Sequence, residues 1–182
     1  MKKYIITSLL AAVVATSAAL AGTETYKEIV IEIEDPCLFR AQEFQLDAFG
    51  MGAFYSEGRP GWGGGLGLNY FFTNYIGIGV EQGLFGREAQ AGKGGSYTEW
   101  STLGNVYLRY PICSLNLAPY AMIGGGAFYA DGRKGHGVGT VGGGLEYRFT
   151  ENIGIFSDYR WAYSSETPTS ALLGRAGLRF AF

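Results

Sequence analysis

The chain ends with the sequence Leu173-Gly174-Arg175-Ala176-Gly177-Leu178-Arg179-Phe180-Ala181-Phe182, in which two kinds of residue alternate. The side chains of a β-strand point to opposite faces in turn. One face of this segment would therefore carry Leu178, Phe180 and Phe182 with small residues, and the other would carry Arg175 and Arg179. The pattern predicts a β-strand with one apolar face and one charged face.

The same alternation recurs from Glu43 onward, in stretches that turn residues separate. A tilted strand of ~9–11 residues is long enough to cross a bilayer. The composition of 30 glycines, 13 tyrosines and 12 phenylalanines is typical of an all-β protein with close backbone approaches. We predict eight strands, near residues 43–54, 62–72, 75–87, 97–110, 117–130, 138–149, 152–164 and 171–182.

The direction of the apolar faces decides which kind of barrel these strands form. In the seventh predicted strand, Ile155 and Tyr159 oppose Asp158 and Arg160. A soluble, lipocalin-like barrel would place the apolar faces inside, but it leaves the aromatic residues at the strand ends unexplained. A membrane barrel places apolar side chains outside and charged ones inside. We therefore predict an all-β fold, an eight-stranded antiparallel up-and-down transmembrane β-barrel over residues 43–182.

Aromatic residues cluster near both sets of predicted strand ends, where a membrane barrel carries its interfacial girdles. The connections near one end are tight turns, and those near the other end are longer and more polar. We expect the girdle beside the tight turns to contain Tyr70, Phe72, Tyr75, Tyr110, Tyr147, Phe149, Phe180 and Phe182. We expect the opposite girdle to contain Phe54, Tyr55, Trp62, Tyr97, Trp100, Phe128, Tyr129, Trp161 and Tyr163.

The two halves of the barrel sequence resemble each other, so that predicted strands one to four correspond to strands five to eight. Two explanations would produce this similarity. One is the duplication of a four-stranded unit, and the other is a pattern of glycine and aromatic residues that all strands of such barrels share. An even strand count follows in both cases. The matching pairs of segments are 52–59 with 126–133, 70–78 with 147–155, and 103–110 with 173–180.

Five acids and five arginines fall on the predicted inward faces. An eight-stranded barrel has an interior only wide enough for side chains. An unpaired charge there would be costly, so we expect hydrogen-bonded Arg–carboxylate pairs to fill the lumen rather than acid–base catalysts or an ion channel. The predicted lumen charge network is Asp47, Glu81, Glu99, Arg109, Glu146, Arg148, Asp158, Arg160, Arg175 and Arg179.

The first 21 residues have the features of a cleavable export signal. Lys2 and Lys3 precede an apolar run that is shorter than a membrane-spanning helix, and Ala19 and Ala21 fit the cleavage pattern. An uncleaved anchor is the alternative. We expect residues 1–21 to be removed, 22–42 to form a periplasmic segment and 43–182 to form the barrel.

Two cysteines, Cys37 and Cys113, lie on the side that the predicted topology makes periplasmic. That compartment is oxidising, and a metal site would need more ligands than these two. We expect a Cys37–Cys113 disulfide that ties the leading segment across the floor of the barrel. The alternative is two separate thiols, because sequence does not show that the two residues come within bonding reach.

The sequence contains no phosphate loop, no nucleophile elbow and no cluster of zinc ligands, so we expect no cofactor and no metal. A net charge of −2 provides no basic footprint for nucleic acid. His136, the only histidine, lies in a predicted outer loop near Asp131. A lipid-modifying site there is possible in principle, but a solvated loop histidine is the commoner case, and we expect no enzyme.

The alternating strands, the tight turns and the terminal Leu178-Arg179-Phe180-Ala181-Phe182 resemble the OmpA/OmpX-like family of small outer-membrane β-barrels. The resemblance covers Glu43 to Phe182. It implies that the barrel-assembly machinery reads a signal formed by Ala176, Leu178, Phe180 and Phe182.

The same resemblance implies a bacterial outer-membrane location. The partners expected are outer-membrane lipid, lipopolysaccharide and the barrel-assembly machinery, and we expect a monomer. Members of such a family have structural and surface-interaction roles, and fold alone does not choose among them. We expect a non-enzymatic structural or surface-interaction protein. A narrow porin for small solutes and, less favoured, a lipid-modifying enzyme are the alternatives.

Overall fold

The computed structural model describes residues 37–56, 60–88, 96–130, 135–164 and 170–182. The predicted export signal and residues 22–36 lie outside these described residues. The strands are β1 Glu43–Tyr55, β2 Gly61–Phe71, β3 Ile76–Glu88, β4 Ser96–Arg109, β5 Leu117–Ala130, β6 His136–Arg148, β7 Ile153–Tyr163 and β8 Ser170–Ala181. A 3₁₀ turn at Cys113–Leu115 precedes β5. Among the described residues, no helix is long and apolar enough to cross a membrane.

Each strand pairs antiparallel with the next, and β8 pairs with β1, so the sheet closes into an eight-stranded up-and-down barrel. This confirms the predicted fold. The β1–β8 register aligns Asp47 with Arg179 and Gly52 with Gly174. Closure leaves no unpaired strand edge in the sheet.

The tight turns β2–β3 and β6–β7 share one hydrogen-bonding pattern. The Phe72 amide donates to the Ile76 carbonyl over 3.0 Å, and the Phe149 amide donates to the Ile153 carbonyl over 2.9 Å. The hydroxyl oxygens of Thr73 and Thr150 each accept bonds from two following amides. A threonine that bonds its own turn fixes the loop conformation. We call this end of the barrel the turn end, and the opposite end the loop end.

Another matching pair of segments behaves differently. Phe54 in β1 points outward with 43% of its surface exposed, whereas the corresponding Phe128 in β5 points inward and is 3% exposed. Inside the barrel, the Phe128 ring packs edge-on against Phe85 at 6.0 Å. Tyr55 also points inward. The prediction that Phe128 and Tyr55 belong to the loop-end girdle is therefore wrong. Which of a strand's two faces points inward depends on the packing of side chains inside the barrel.

Glycines on the inward faces occupy places where neighbouring strands come very close. A Cβ atom at Gly126 would lie 1.9 Å from the Thr102 carbonyl oxygen, and one at Gly63 would lie 1.9 Å from the Leu84 carbonyl oxygen. On the outward face, a Cβ at Gly139 would meet nothing within 4 Å. The inward glycines therefore allow the tight curvature of a small barrel.

The lumen is divided between two kinds of side chain. Most of the charged residues occupy the half next to the turn end, and the half next to the loop end is mainly apolar. The apolar cluster was not predicted from the sequence. It consists of Phe49, Met51, Ala53, Phe85, Leu103, Phe128, Val138, Phe156, Ala162, Ala171 and Leu173.

Candidate functional site

Two arginines of β8 form the centre of the lumen charge network. Arg175 lies directly opposite Asp158 of β7, and Arg179 lies directly opposite Asp47 of β1. Each arginine donates two hydrogen bonds to its aspartate, at 2.9 and 2.6 Å for Arg175 and at 2.7 and 2.6 Å for Arg179. Such two-pronged pairs are among the strongest and most directional hydrogen-bonded contacts in proteins. The last strand is thereby joined to both of its neighbours from the inside.

The remaining nitrogen of each guanidinium reaches a glutamate on a more distant strand. Arg175 Nη1 donates to Glu81 Oε2 of β3 over 2.6 Å. Arg179 Nη1 donates to Glu146 Oε2 of β6 over 2.6 Å. These bonds cross the lumen, so β8 is connected to four other strands through two side chains.

Glu43, the first residue of β1, belongs to the lumen charge network although it is absent from the predicted set. Its Oε1 accepts hydrogen bonds from Arg148 at 2.7 Å, Arg109 at 3.3 Å and Gln45 at 2.6 Å. Glu43 lies on the same inward face of β1 as Gln45, so the alternation of side chains along this strand could have predicted its position.

Among the described residues, five of the six buried carboxylates therefore pair with the five buried arginines, and the sixth, Glu99, lies apart from them. A sixth arginine, Arg40, has a side chain that is 41% exposed and lies 3.9 Å from Glu43. Two charged groups at the turn end, Glu43 and Arg40, thus lie outside the predicted set.

Neutral polar side chains complete the bonding of the carboxylates. Tyr120 donates to Asp158 over 2.8 Å, Asn69 donates to Asp47 over 2.9 Å, and Asn105 donates to Glu81 over 3.1 Å. These residues were absent from the predicted network, because a tyrosine or asparagine on an inward face has many possible partners.

Arg160 is the least satisfied member of the network. Its Nη1 donates to Glu81 Oε1 over 2.8 Å, whereas its buried Nε and Nη2 have no hydrogen-bond partner among the described residues. Nη2 lies 3.6 Å from Asp158 Oδ1, which is an ionic contact only.

Glu99 lies apart from the other predicted residues. It is on β4 nearer the loop end, and its described partner is the Tyr55 hydroxyl, which donates to Oε2 over 2.6 Å. Among the described residues, the other nine predicted residues form two groups of ion pairs, one around Arg179 and Glu146 and one around Arg175 and Glu81, while Glu99 lies beside a tyrosine.

The floor of the barrel is formed by residues that precede β1. A disulfide joins Cys37 to Cys113, with 4.6 Å between their Cα atoms. Phe39 is buried beneath the guanidinium groups of Arg109 and Arg148, whose central carbons lie 5.1 and 5.4 Å from the ring centre. Cation–π contact and desolvation both favour this arrangement. The disulfide thus holds the Phe39 ring against the two arginines of the network that lie nearest the floor of the barrel.

The other candidate sites have little support from the described residues. His136 lies at the start of β6, and its ring packs edge-on against Phe128 at 5.9 Å. Asp131 lies outside the described residues. Within the described ranges, no group of three or more His, Cys, Asp or Glu residues could hold a metal ion.

The outer surface has the opposite character to the lumen. Its middle band exposes aliphatic side chains such as Leu68, Val106, Ile123 and Val141. In the last strand, Leu178 and Phe182 point outward and Phe180 is half-buried on the same face, while Ala176 is exposed. Charged side chains thus line the interior at the turn end, and apolar side chains cover the exterior.

Solved structures share this fold. Neisserial surface protein A has 18% sequence identity and a TM-score of 0.62, over 77% of this chain and 96% of that one. The outer membrane protein OprG of Pseudomonas aeruginosa has 10% identity and a TM-score of 0.63, over 79% and 97%. The chain has the fold of these small barrels.

A third structure is the attachment invasion locus protein Ail of Yersinia pestis, in complex with the heparin analogue sucrose octasulfate. It has 17% identity and a TM-score of 0.57, over 78% of this chain and 99% of that chain. No protein-family model matches the chain, and no curated protein sequence matches it. The likeness therefore concerns the fold.

Proposed function

We propose that this protein is an integral outer-membrane β-barrel of a Gram-negative bacterium, with a structural or surface-interaction role and no enzymatic activity. The observation that carries the proposal is the inverted polarity of the barrel. Arg109, Arg148 and Arg179 are buried inside, while Leu66, Leu108 and Ile123 are about 60% exposed outside.

The surface polarity favours lipid over water as the surroundings of the barrel. A soluble monomer rarely exposes a contiguous apolar patch of more than a few hundred Å². The exposed aliphatic residues here occur on strands all around the barrel, from Leu46 on β1 to Leu178 on β8. Lipid also requires every backbone group to be bonded internally, which the closed strand order provides.

The direction of insertion follows from the two ends of the barrel. Bacterial barrels have short periplasmic turns and longer outer connections. We therefore place the Thr73 and Thr150 turns and the Cys37–Cys113 disulfide in the periplasm, where disulfides persist. Export would use residues 1–21 as a cleaved signal, and insertion would use the barrel-assembly machinery.

The filled lumen supports a structural or surface role over a porin. The Arg–carboxylate pairs occupy the turn-end half, and the cluster around Phe85, Phe128 and Leu103 occupies the loop-end half. An ion would have to cross both a bonded charge layer and a packed apolar layer. Partners are then expected at the outer surface, with lipopolysaccharide and outer-membrane lipid around a monomeric barrel.

Fractionation of bacteria that express the full chain tests this proposal. We expect the protein in the outer-membrane fraction after a carbonate wash, with the mature N-terminus at Gly22. Its folded form should migrate differently from the boiled form in a denaturing gel. Recovery as a soluble periplasmic protein would contradict the proposal.

A further inference from the structure

The outer surface contains a trough that crosses the middle of the apolar band. Its upper part is a recess of about 440 Å³ near the loop end, and its lower part is a recess of about 390 Å³ nearer the turn end. Ser157 and Ala176 line both parts, so the two recesses adjoin there. The upper recess crosses the closing β8–β1 seam, and the lower recess is lined by residues of β5 to β8.

The trough exists because outward positions at its floor lack side chains. A Cβ atom at Gly50 would come no closer than 3.9 Å to any other part of the protein, which leaves open space above it. Large rings stand on both sides, since Trp62 is 64% exposed and Tyr159 is 62% exposed. Phe54 packs edge-on against Trp62 at 5.6 Å, which fixes that rim.

The ends of the trough lie at different levels of the barrel. Its upper part begins beside Phe54 and Trp62, in the loop-end aromatic girdle. Its lower part reaches Leu117 and Tyr147, beside the turn-end girdle. The trough therefore extends over the height of the apolar band, within the region that hydrocarbon occupies if the barrel spans a membrane.

We propose that the trough is a binding site for the acyl chains of membrane lipids. The lining between the two girdles is mainly glycine, alanine and hydrocarbon or aromatic groups, with Ser157 as a small polar group where the recesses meet. Arg175 also lines the upper recess, but its guanidinium is directed into the lumen, where it bonds to Asp158 and Glu81. An acyl chain is apolar and flexible, so it can follow an irregular trough. The proposal rests on the proposed membrane location.

A second copy of the chain fits the trough less well than a lipid. A two-fold axis that passes through the trough would bring the troughs of both copies face to face. Two troughs facing each other would enclose an unfilled space, which loses packing contacts. A single acyl chain fills the trough without a matching ridge on a partner.

Filling the upper recess tests the proposal. Gly50→Leu places an aliphatic side chain there without a backbone clash, because a Cβ atom at that position has room. Gly139→Leu is the matched control, since Gly139 is an outward glycine on β6 with nothing within 4 Å of its Cβ position. Both variants should insert into vesicles as the wild type does.

The measurement is photo-crosslinking in phosphatidylcholine vesicles that contain a small share of lipid with a diazirine on its acyl chain. In the wild type and in Gly139→Leu, we expect peptides containing Trp62 and Tyr159 to be labelled above the level of the other outward strands. In Gly50→Leu, that excess should be lost. Ser157→Leu should reduce labelling beside Tyr147 as well.

Three results would overturn the inference. Even labelling around the barrel, or an excess that Gly50→Leu leaves unchanged, would show that the trough does not select lipid. Crosslinks between two copies through the Tyr159 face would show a protein partner there. Failure of the wild type to insert into vesicles would instead contradict the proposed membrane location, which the folded-form gel shift reports separately.

Discussion

Arg179 joins three strands through one side chain. It donates two bonds to Asp47 on β1 and one to Glu146 on β6, and its guanidinium lies 4.6 Å from the centre of the Phe156 ring. Its neighbours are buried, so the loss of Arg179 leaves carboxylates without their cation. A buried charge that loses its partner is more destabilising than an exposed one.

We therefore expect Arg179→Met to lower the free energy of unfolding by about 3–5 kcal/mol. Arg40→Met, at a side chain that is 41% exposed, serves as the control and should cost about 1 kcal/mol or less. Urea titration of the barrel in lipid vesicles measures both values. Equal changes in the free energy of unfolding for the two substitutions would show that the buried ion pairs of Arg179 do not stabilise the barrel more than an exposed arginine does.

A substitution at Gly126 tests whether the inward-facing positions where two strands approach closely require glycine. We expect Gly126→Ala to destabilise the barrel by about 1–3 kcal/mol, since its Cβ would overlap the Thr102 carbonyl oxygen and force the strands apart. Gly139→Ala adds the same methyl group on the outward face and should change stability by less than about 0.5 kcal/mol. The urea midpoint of each variant is the measurement. A similar shift for both alanines would contradict the close strand approach.

At the scale of elements, the floor segment before β1 is attached by one covalent bond and by non-covalent contacts of Phe39 and Arg40. The disulfide joins Cys37 to the 3₁₀ turn before β5, and Phe39 then packs beneath Arg109 and Arg148. The eight-strand pairing does not include this segment. Barrel closure and floor attachment should therefore be separable.

We expect the Cys37→Ser/Cys113→Ser variant to remain a folded barrel but to lose about 2–4 kcal/mol of stability. Cleavage after Arg40 by trypsin should become faster, because the segment is then held without a covalent link, by the packing of Phe39 and the hydrogen bond from Arg109 to the Arg40 carbonyl. Wild-type protein treated with a reductant should behave like the double variant. Unchanged cleavage in both samples would show that Phe39 holds the floor without the disulfide.

The matching segments of β1 and β5 show how far a strand's sequence determines its structure. Both carry Gly-Ala-Phe-Tyr, and both are strands, as the sequence predicted. Phe54 faces outward and Phe128 faces inward, because Phe128 fills a space beside Phe85 in the interior. Local residue types thus predict the strand, while the contents of the lumen decide which of two faces it presents.

At the scale of the whole molecule, the two layers of the lumen should block ion flow. We expect single barrels in planar bilayers to show no steady open conductance. The charge layer around Arg175 and Arg179 and the apolar layer around Phe85 and Phe128 would both have to open. A large, steady conductance of the wild type would contradict the filled lumen and favour the narrow-porin alternative.

The sequence by itself determined the number of strands, their approximate ends and the polarity of most faces. It did so because side-chain alternation and turn chemistry are local properties. The parity of Arg175, Arg179 and Asp158 within their strands already placed them on inward faces.

Tertiary structure decided which charges meet across the lumen, where Glu43 and Tyr120 join them, and why Phe54 and Phe128 differ. It also produced the apolar layer and the outer trough between Trp62 and Tyr159. These features depend on the register between strands and on the curvature of the closed sheet. Both bring together residues far apart in sequence, so no local pattern contains them.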